Sequence, residues 1–286
     1  MIKFRKSKNL IKEKKTIRVE GRKIRLLILK HKDWKKRSMQ EKTAGVLWLH
    51  GGGYVVGMKE MVYLASPVEL VEKFGLTLIA PDYTLASKKH HYPEALNDCY
   101  AALSYLKDHA EELKVRDDQL FVGGESAGGG LCAALCMKAR DEGKIKIAFQ
   151  TPLYPMIDDR DTPTSENNRG KVWNTRSNHY GWKQYLGPLY GSDNVPPYAA
   201  PARQTDYRNL PPCYTFVGDL EPFFAETMTF IRNLQDAGVE ASVDIYGGEY
   251  HAFDMIDSGS KHAEEAEKKF LKVYEDALKN YHAVQN

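Results

Sequence analysis

A serine lies at the centre of a short glycine-rich pattern, G-E-S-A-G at residues 124–128. The apolar stretch 119–123 before it predicts a strand, and the Ala- and Leu-rich stretch after it predicts a helix. A sharp turn between a strand and a helix lifts a serine hydroxyl clear of the backbone, and small flanking residues leave room for it. Ser126 is therefore the candidate nucleophile, although patterns of this length also occur by chance in glycine-rich turns.

A second glycine pattern, H-G-G-G-Y at residues 50–54, follows the predicted strand 45–49. Consecutive glycines expose backbone amides, which can donate hydrogen bonds to the negatively charged oxygen of a tetrahedral intermediate. We predict that the amides of Gly52, Gly53 and Ala127 form this oxyanion hole. A phosphate-binding loop is disfavoured, because no Lys-Ser or Lys-Thr pair follows the glycines.

A serine hydroxyl is a poor nucleophile until a histidine accepts its proton. His251 follows the predicted strand 241–246 and a Gly-Gly turn, which is where such a histidine is expected. Most of the other histidines lie in charged stretches, next to helices or, like His50, inside the glycine pattern, where a scaffold role fits better. His179 lies in the insertion described below, and its position does not exclude it as the catalytic histidine.

The histidine needs an acid that holds its tautomer and stabilises the imidazolium. Two acids, Asp219 and Glu221, follow the predicted strand 213–217. Both satisfy the chain order nucleophile, acid, histidine. Position alone leaves the choice between them open.

Short apolar runs alternate with helical patterns along the chain, which is typical of an α/β sheet. The predicted strands are an antiparallel pair at 16–19 and 23–29, followed by 45–49, 76–81, 119–123, 145–150, 213–217 and 241–246. The predicted helices are 65–74, 93–110, 127–142, 222–237 and 261–281. We therefore predict one α/β domain over residues 1–286, with a mostly parallel sheet flanked by helices.

One segment, residues 157–201, interrupts this alternation. It is polar and rich in turns, and long insertions of this kind often form a lid or cap over a site. Its apolar members either cover a substrate pocket or dock the insertion onto the sheet, and both interpretations stay open. They are Trp173, Tyr180, Trp182, Tyr185, Leu186 and Tyr190. Residues 1–15 are interpreted as a solvated basic arm, with a contribution to the cap as an alternative.

Composition limits the classes of partner. Lys and Arg outnumber Asp and Glu by only 41 to 38, which disfavours nucleic acid. No apolar run approaches the roughly 20 residues that span a bilayer, and the start lacks the pattern of a secretory signal, so we expect a cytoplasmic protein without membrane association. The four cysteines have no metal-like spacing and are predicted to be reduced core thiols. We expect neither metal nor cofactor.

Together the motifs resemble those of the hormone-sensitive-lipase-like esterases, a branch of the α/β hydrolases. Besides the two glycine patterns, D-Y-T-L-A at 82–86, Y-P-E-A-L-N-D at 92–98 and H-A-F at 251–253 are similar to family motifs. The resemblance runs from about residue 46 to the carboxyl end and implies the α/β-hydrolase fold. Aligning the family's D-P-L-x-D-E on E-P-F-F-A-E at 221–226 favours Glu221 over Asp219 as the acid.

The chain departs from the family after Tyr83, where Thr84 replaces an arginine and either Ser87 or Ala86 replaces a proline, which puts the packing of that loop in doubt. A short amino-terminal region implies a reduced cap and a more open site. Relatives often pair through the last strand, so the resemblance also implies a homodimer.

These residues predict acyl transfer to Ser126 and hydrolysis of short-chain acyl esters, with Tyr54 and the aromatic residues of the insertion lining the acyl pocket. Two alternatives remain. An amide or peptide hydrolase would use the same catalytic groups, and a ligand-binding homologue would keep the fold without turnover.

Overall fold

The central sheet has eight strands in this computed structural model, which describes residues 7–34 and 42–285. In chain order the strands are β1 (Leu10–Val19), β2 (Arg22–His31), β3 (Thr43–Leu49), β4 (Thr77–Pro81), β5 (Val115–Glu125), β6 (Phe149–Leu153), β7 (Cys213–Gly218) and β8 (Ala241–Tyr246). Across the sheet they lie in the order β1-β2-β4-β3-β5-β6-β7-β8. β2 pairs antiparallel with β1 and β4, and the strands from β4 to β8 are parallel. The predicted, mostly parallel α/β sheet is confirmed.

Five of the helices given below match the predicted helices, whereas the helix of the insertion and two short helices were not predicted. They are α1 (Pro67–Phe74), α2 (Glu94–Asp108), the short α3 (Ala110–Leu113), α4 (Ala127–Glu142), α5 (Thr175–Leu186), α6 (Phe224–Asp236), the short α7 (Phe253–Ile256) and α8 (Lys261–Asn280). A glycine in the left-handed conformation ends both α1 and α4, as is common at helix carboxyl ends.

Two apolar clusters, one on each face of the sheet, form the core. Val46 and Leu47 are neighbours in β3 and belong to different clusters, because successive side chains of a strand point to opposite faces. Helices α2 and α4 pack in the cluster with Leu47, and α1 and α8 pack in the cluster with Val46. β3 is therefore buried on both faces, which explains its consecutive apolar residues.

The edge strand β1 begins at residue 10, six residues before the predicted start. Its residues 12–15 are charged and exposed, and its register with β2 runs from Leu10 opposite His31 to Val19 opposite Arg22. Charged side chains are typical of an edge strand, which leaves no apolar signal in the sequence. Residues 10–15, which were considered for the cap, thus lie in the sheet, and residues 1–6 lie outside the described residues.

Strand β6 begins four residues later than predicted, at Phe149. Its centre, Gln150 and Thr151, is polar but fully buried. Gln150 Nε2 donates to the carbonyl oxygen of Pro211 at 2.9 Å, and Thr151 Oγ1 lies 2.8 Å from Tyr274 Oη. Because these partners come from distant parts of the chain, the apolar pattern of the sequence could not show that the strand continues.

The insertion at 157–201 carries helix α5, which is anchored in the core. Trp182, Tyr185 and Leu186 are buried, and the backbone amide of Tyr92 donates to the carbonyl oxygen of Tyr185 at 2.7 Å. In contrast, the side chain of Tyr180 is 57% exposed. Docking therefore accounts for part of the aromatic pattern of the insertion.

The structure also bears on membrane-spanning helices and on the state of the cysteines. Within residues 7–34 and 42–285, no helix combines the length and apolar composition that crossing a bilayer requires. Cys99, Cys132, Cys136 and Cys213 lie buried in the core with free thiols.

Candidate active site

The candidate site lies at the carboxyl ends of four parallel strands. Ser126 follows β5, the glycine pattern follows β3, Glu221 follows β7 and His251 follows β8. The carboxyl ends of parallel strands meet at one edge of the sheet, where open α/β sheets place their ligand sites. The fold thus brings Ser126 and His251, which are 125 positions apart in the chain, to the same place.

Ser126 occupies a sharp turn between β5 and α4, with φ 57° and ψ −120°. This left-handed conformation turns the side chain out of the strand, as a nucleophile turn requires. A Cβ atom at Gly128 would lie 2.0 Å from the carbonyl oxygen of Leu49, so the helix packs directly on the end of β3. Only glycine permits that approach, which explains the second glycine of the motif.

Ser126, His251 and Glu221 form a continuous chain of contacts. His251 Nε2 lies 2.9 Å from Ser126 Oγ, and His251 Nδ1 contacts Glu221 Oε2. With Nδ1 protonated towards the carboxylate, Nε2 can accept the serine proton. The rings of Tyr154 and Phe223 meet the imidazole edge-on, with centroids 5.2 and 5.0 Å away, and hold its orientation.

Of the two candidate acids, Glu221 contacts His251 and Asp219 does not. Glu221 is buried, and burial raises the pKa of its carboxyl although the neighbouring His251 opposes this. Asp219 is exposed, and its Oδ1 accepts a hydrogen bond from the amide of Gly248 at 2.7 Å. His179, which position could not set aside, is an exposed partner of Asp161 at 2.7 Å.

The predicted oxyanion donors belong to Ala127, which directly follows Ser126, and to the glycine loop, whose Gly51 lies against Ser126. Gly52 and Gly53 have φ values of 114° and 57°, which glycine adopts readily. Across the part of the chain that the structure describes, no protein acceptor receives the amides of Gly52, Gly53 or Ala127. Three backbone donors are therefore available to a bound oxygen atom.

His50 supports this glycine loop from behind. Its ring stacks on Tyr83 with centroids 4.2 Å apart, and its Nδ1 lies 2.8 Å from the carbonyl oxygen of Gly51. Burial lowers the pKa of His50 to about 4, so the ring is neutral near pH 7 and can donate through Nδ1. That bond orients the peptide that carries the amide of Gly52.

The sequence predicts that Tyr54 lines the acyl pocket, whereas in the structure its side chain packs against the insertion. Its side chain is buried, it stacks on Tyr185 at 4.0 Å, and its hydroxyl donates to the carbonyl oxygen of Met156 at 2.8 Å. Tyr54 therefore fastens the glycine loop to the insertion. Its position in the motif could not reveal this, because the stacking partner comes from a distant segment.

Trp173 of the insertion packs on the glycine loop itself. A Cβ atom at Gly53 would lie 2.0 Å from the indole ring, and Trp173 Nε1 donates to Asn178 Oδ1 at 3.4 Å. Gly181 of α5 also lies against the loop, since a Cβ atom there would be 2.9 Å from the carbonyl oxygen of Gly53. The sequence left open whether the aromatic residues of the insertion cover the site or dock the insertion onto the sheet, and Trp173 was among them.

Glu125 is a further buried acid at the site, and the glycine pattern around Ser126 does not by itself indicate a role for it. Its carboxyl accepts hydrogen bonds from Trp48 Nε1 and from the amide of Gly51. A charged residue directly after the apolar and glycine residues 120–124 was the signal that could have identified it.

The chain is similar to a known protein family and to curated esterases. A family model described as alpha/beta hydrolase fold matches residues 46–255. "Esterase LipI" of Mycobacterium tuberculosis is 29% identical over 206 residues, which cover 71% of this chain and 63% of that protein. An arylesterase of Saccharolobus solfataricus is 30% identical over 211 residues, covering 73% and 67%. The chain thus spans about two thirds of the length of these curated relatives.

Solved structures extend the similarity to nearly the whole chain. A bacterial heroin esterase superposes with a TM-score of 0.88 at 30% identity, over 95% of this chain and 85% of that one. An esterase of Pyrobaculum calidifontis superposes with a TM-score of 0.83 at 27% identity, over 94% and 86%.

Proposed function

Because this chain belongs to the hormone-sensitive-lipase-like family of α/β hydrolases, we propose that it hydrolyses carboxylic esters through Ser126, His251 and Glu221. The observation that carries the proposal is the chain of contacts from Ser126 Oγ through the His251 ring to Glu221, next to three free backbone amides. The similar proteins that are named as esterases support the same activity.

The reaction has two stages. Ser126 Oγ attacks the ester carbonyl while His251 Nε2 takes its proton, and the amides of Gly52, Gly53 and Ala127 bind the oxyanion. His251 then returns the proton to the leaving alcohol, and an acyl-serine remains. In the second stage His251 Nε2 removes a proton from water, and the oxygen of that water bonds to the acyl carbon. The bond between the acyl carbon and Ser126 Oγ then breaks, His251 returns the proton to Ser126 Oγ, and the carboxylic acid leaves. Each oxyanion donor is worth about 3 to 4 kcal/mol in the transition state.

The insertion acts as a partial lid that favours short acyl groups. Ser126 and His251 are each only 5% exposed, and the Trp173 ring packs on one of the oxyanion donors. An ester whose carbonyl oxygen reaches these amides must place its substituents beside that ring. Acetyl and butyryl groups fit this space more easily than longer chains do.

Replacing Trp173 by alanine is expected to relax this limit. Removing the indole opens space next to Gly53, so the ratio of kcat/KM for p-nitrophenyl octanoate to that for the acetate should rise about tenfold. The ratio is measured from initial rates on both esters. Tyr180→Ala is the matched control, because Tyr180 lies on the same insertion and is largely exposed. An unchanged ratio in Trp173→Ala would remove Trp173 from the acyl site.

The activity itself is tested with matched substrates. Initial rates on p-nitrophenyl acetate, butyrate and octanoate are compared with those on p-nitroacetanilide, and a fluorophosphonate probe reports the reactive serine. Turnover of the short esters together with labelling of Ser126 is the expected result. Faster turnover of the anilide would indicate an amide hydrolase, and a folded protein without labelling would indicate a binding protein.

We also propose a homodimer through β8, on the basis of the sheet edge. β8 pairs only with β7 among the described strands, and its Ile245 is 48% exposed. Pairing of two such edges would cover both the free backbone groups and this side chain. Light scattering should give twice the monomer mass, and Ile245→Lys should reduce it; a monomeric wild type at micromolar concentration rejects the dimer.

A further inference from the structure

Glu125 is a completely buried carboxyl group that the two-stage reaction does not use. It is the last residue of β5 and directly precedes Ser126, and none of its surface is exposed. Its Oε2 accepts a hydrogen bond from Trp48 Nε1 at 2.6 Å, and its Oε1 accepts one from the amide of Gly51 at 3.3 Å. One side chain therefore joins the nucleophile strand, β3 and the glycine loop.

Gly51 is the point where the glycine loop meets the serine turn. A Cβ atom at Gly51 would lie 3.0 Å from the carbonyl oxygen of Glu125 and 3.3 Å from Ser126 Cβ. The peptide between His50 and Gly51 is held at both ends, because Tyr83 Oη donates to the His50 carbonyl oxygen at 2.7 Å. The next peptide carries the amide of Gly52. A shift of Gly51 therefore moves the donors that would bind the oxyanion.

We propose that Glu125 is a positioning residue whose carboxylate form holds Gly51, and through it the amides of Gly52 and Gly53, where the oxyanion develops. Fast acyl transfer then requires ionised Glu125. This inference rests on the proposed ester hydrolysis at Ser126.

The hydrogen bonds explain why the ionised form is needed. Both carboxyl oxygens face N–H donors, and an ionised carboxylate accepts at both oxygens. A protonated carboxyl has one O–H, which would point at one of these donors. The bond to Gly51 is the longer of the two, so protonation breaks it first and releases the loop.

Burial makes this ionisation occur near neutral pH. It raises the pKa of Glu125 to about 8, partly opposed by the hydrogen bonds from Trp48, Gly51 and its own amide. The charge of Asp254 raises the pKa of Glu125 further. The buried phenol groups of Tyr83 and Tyr154 also lie near the Glu125 carboxyl. The carboxylate form therefore grows from a minor to the main species between pH 7 and pH 9.

The first test is the pH profile of kcat for p-nitrophenyl acetate, corrected for spontaneous hydrolysis. In the wild type kcat should rise about tenfold from pH 7 to pH 9, as Glu125 ionises. Glu125→Gln should lose this rise, and at pH 9 its kcat should be about 10- to 100-fold lower with KM changed less than about threefold. Affinity for a trifluoromethyl ketone, which mimics the oxyanion, should fall in parallel. A wild type without the rise, or a variant that keeps it, overturns the proposal.

Two further variants shift the same rise in opposite directions. Asp254→Asn removes a negative neighbour and should move it to lower pH, while the asparagine oxygen can still accept from Tyr154 Oη. Trp48→Phe removes a donor that favours the carboxylate and should move the rise to higher pH. Identical profiles in wild type and both variants would show that another group titrates.

Stability gives a readout that does not depend on turnover. Because the folded-state pKa of Glu125 lies above the unfolded value, the group adds no ionisation cost to folding below about pH 4.5, and that cost grows as pH rises towards 8. The Tm of wild type minus that of Glu125→Gln should therefore decrease from pH 5 to pH 9. A constant difference contradicts the assignment of the titration to Glu125.

Failure of the proposed ester hydrolysis can be distinguished from failure of the proposed role of Glu125. If the wild type turns over no ester but fluorophosphonate labels Ser126, the labelling rate replaces kcat in the same pH series, since phosphonylation also places charge on an oxygen at the loop amides. If Ser126 is not labelled at all, the ester hydrolase proposal fails. The Tm series then still decides whether Glu125 is the titrating group.

Discussion

Replacing Ser126 by alanine is expected to lower kcat for p-nitrophenyl acetate by about 10⁴- to 10⁶-fold. Alanine removes the oxygen atom that lies 2.9 Å from His251 Nε2 and leaves the loop amides in place. The residual rate then comes from the oxyanion donors and from water. It is measured with long assays at high protein concentration, after purification from a host strain that lacks its own esterases.

This prediction has a clear control. Ser126→Ala should keep the circular dichroism spectrum of the wild type, because alanine fills the same position without new contacts. It should also fail to react with a fluorophosphonate probe. If the folded variant keeps more than about one hundredth of the activity, another residue is the nucleophile and the proposed mechanism is wrong.

Replacing Glu221 by glutamine should reduce kcat by about 10³- to 10⁴-fold. The amide can turn its NH₂ group towards His251 Nδ1, which then favours the tautomer that cannot accept the serine proton. A neutral amide also cannot stabilise the imidazolium. The loss should appear in kcat, with little change in KM, because the interaction strengthens only as the proton moves.

Asp219→Asn provides the matched comparison, since both acids follow the same strand. Asp219 is exposed and accepts a hydrogen bond from Gly248, which an asparagine oxygen can also accept. We expect its kcat to stay within about threefold of the wild type. A reversed result, with Asp219→Asn inactive and Glu221→Gln active, would assign the acid to Asp219.

Much of the sheet could be predicted because its signal is local. Buried parallel strands such as β3 and β5 carry consecutive apolar residues, and the glycine patterns mark the turns that follow them. The chain order then points to His251 after β8. The starts of β1, β5 and β6 were placed wrongly. Each of these strands has polar residues near its start, which solvent exposure or a distant hydrogen-bond partner makes acceptable.

The roles of individual side chains at the candidate site were harder to predict where they depend on contacts with distant parts of the chain. The choice between Asp219 and Glu221 depends on which side chain reaches an imidazole 30 residues further along the chain. The position of Tyr54 depends on stacking against α5, and the role of Glu125 depends on a donor 77 residues earlier in β3. Periodicity contains none of these distances. The family motif favoured Glu221 as the acid, but no motif indicated the contacts of Tyr54 or Glu125.

The backbone of Ser126 has a thermodynamic consequence. A serine held at φ 57° and ψ −120° occupies a sparsely populated conformation, which typically costs about 1 to 3 kcal/mol in the folded state. Because small domains are stable by only about 5 to 15 kcal/mol, this strain is a sizeable fraction of the free energy of unfolding. A glycine at position 126 would relieve it, and a fold without its nucleophile would resist unfolding better. Reactivity and stability therefore oppose each other at this residue.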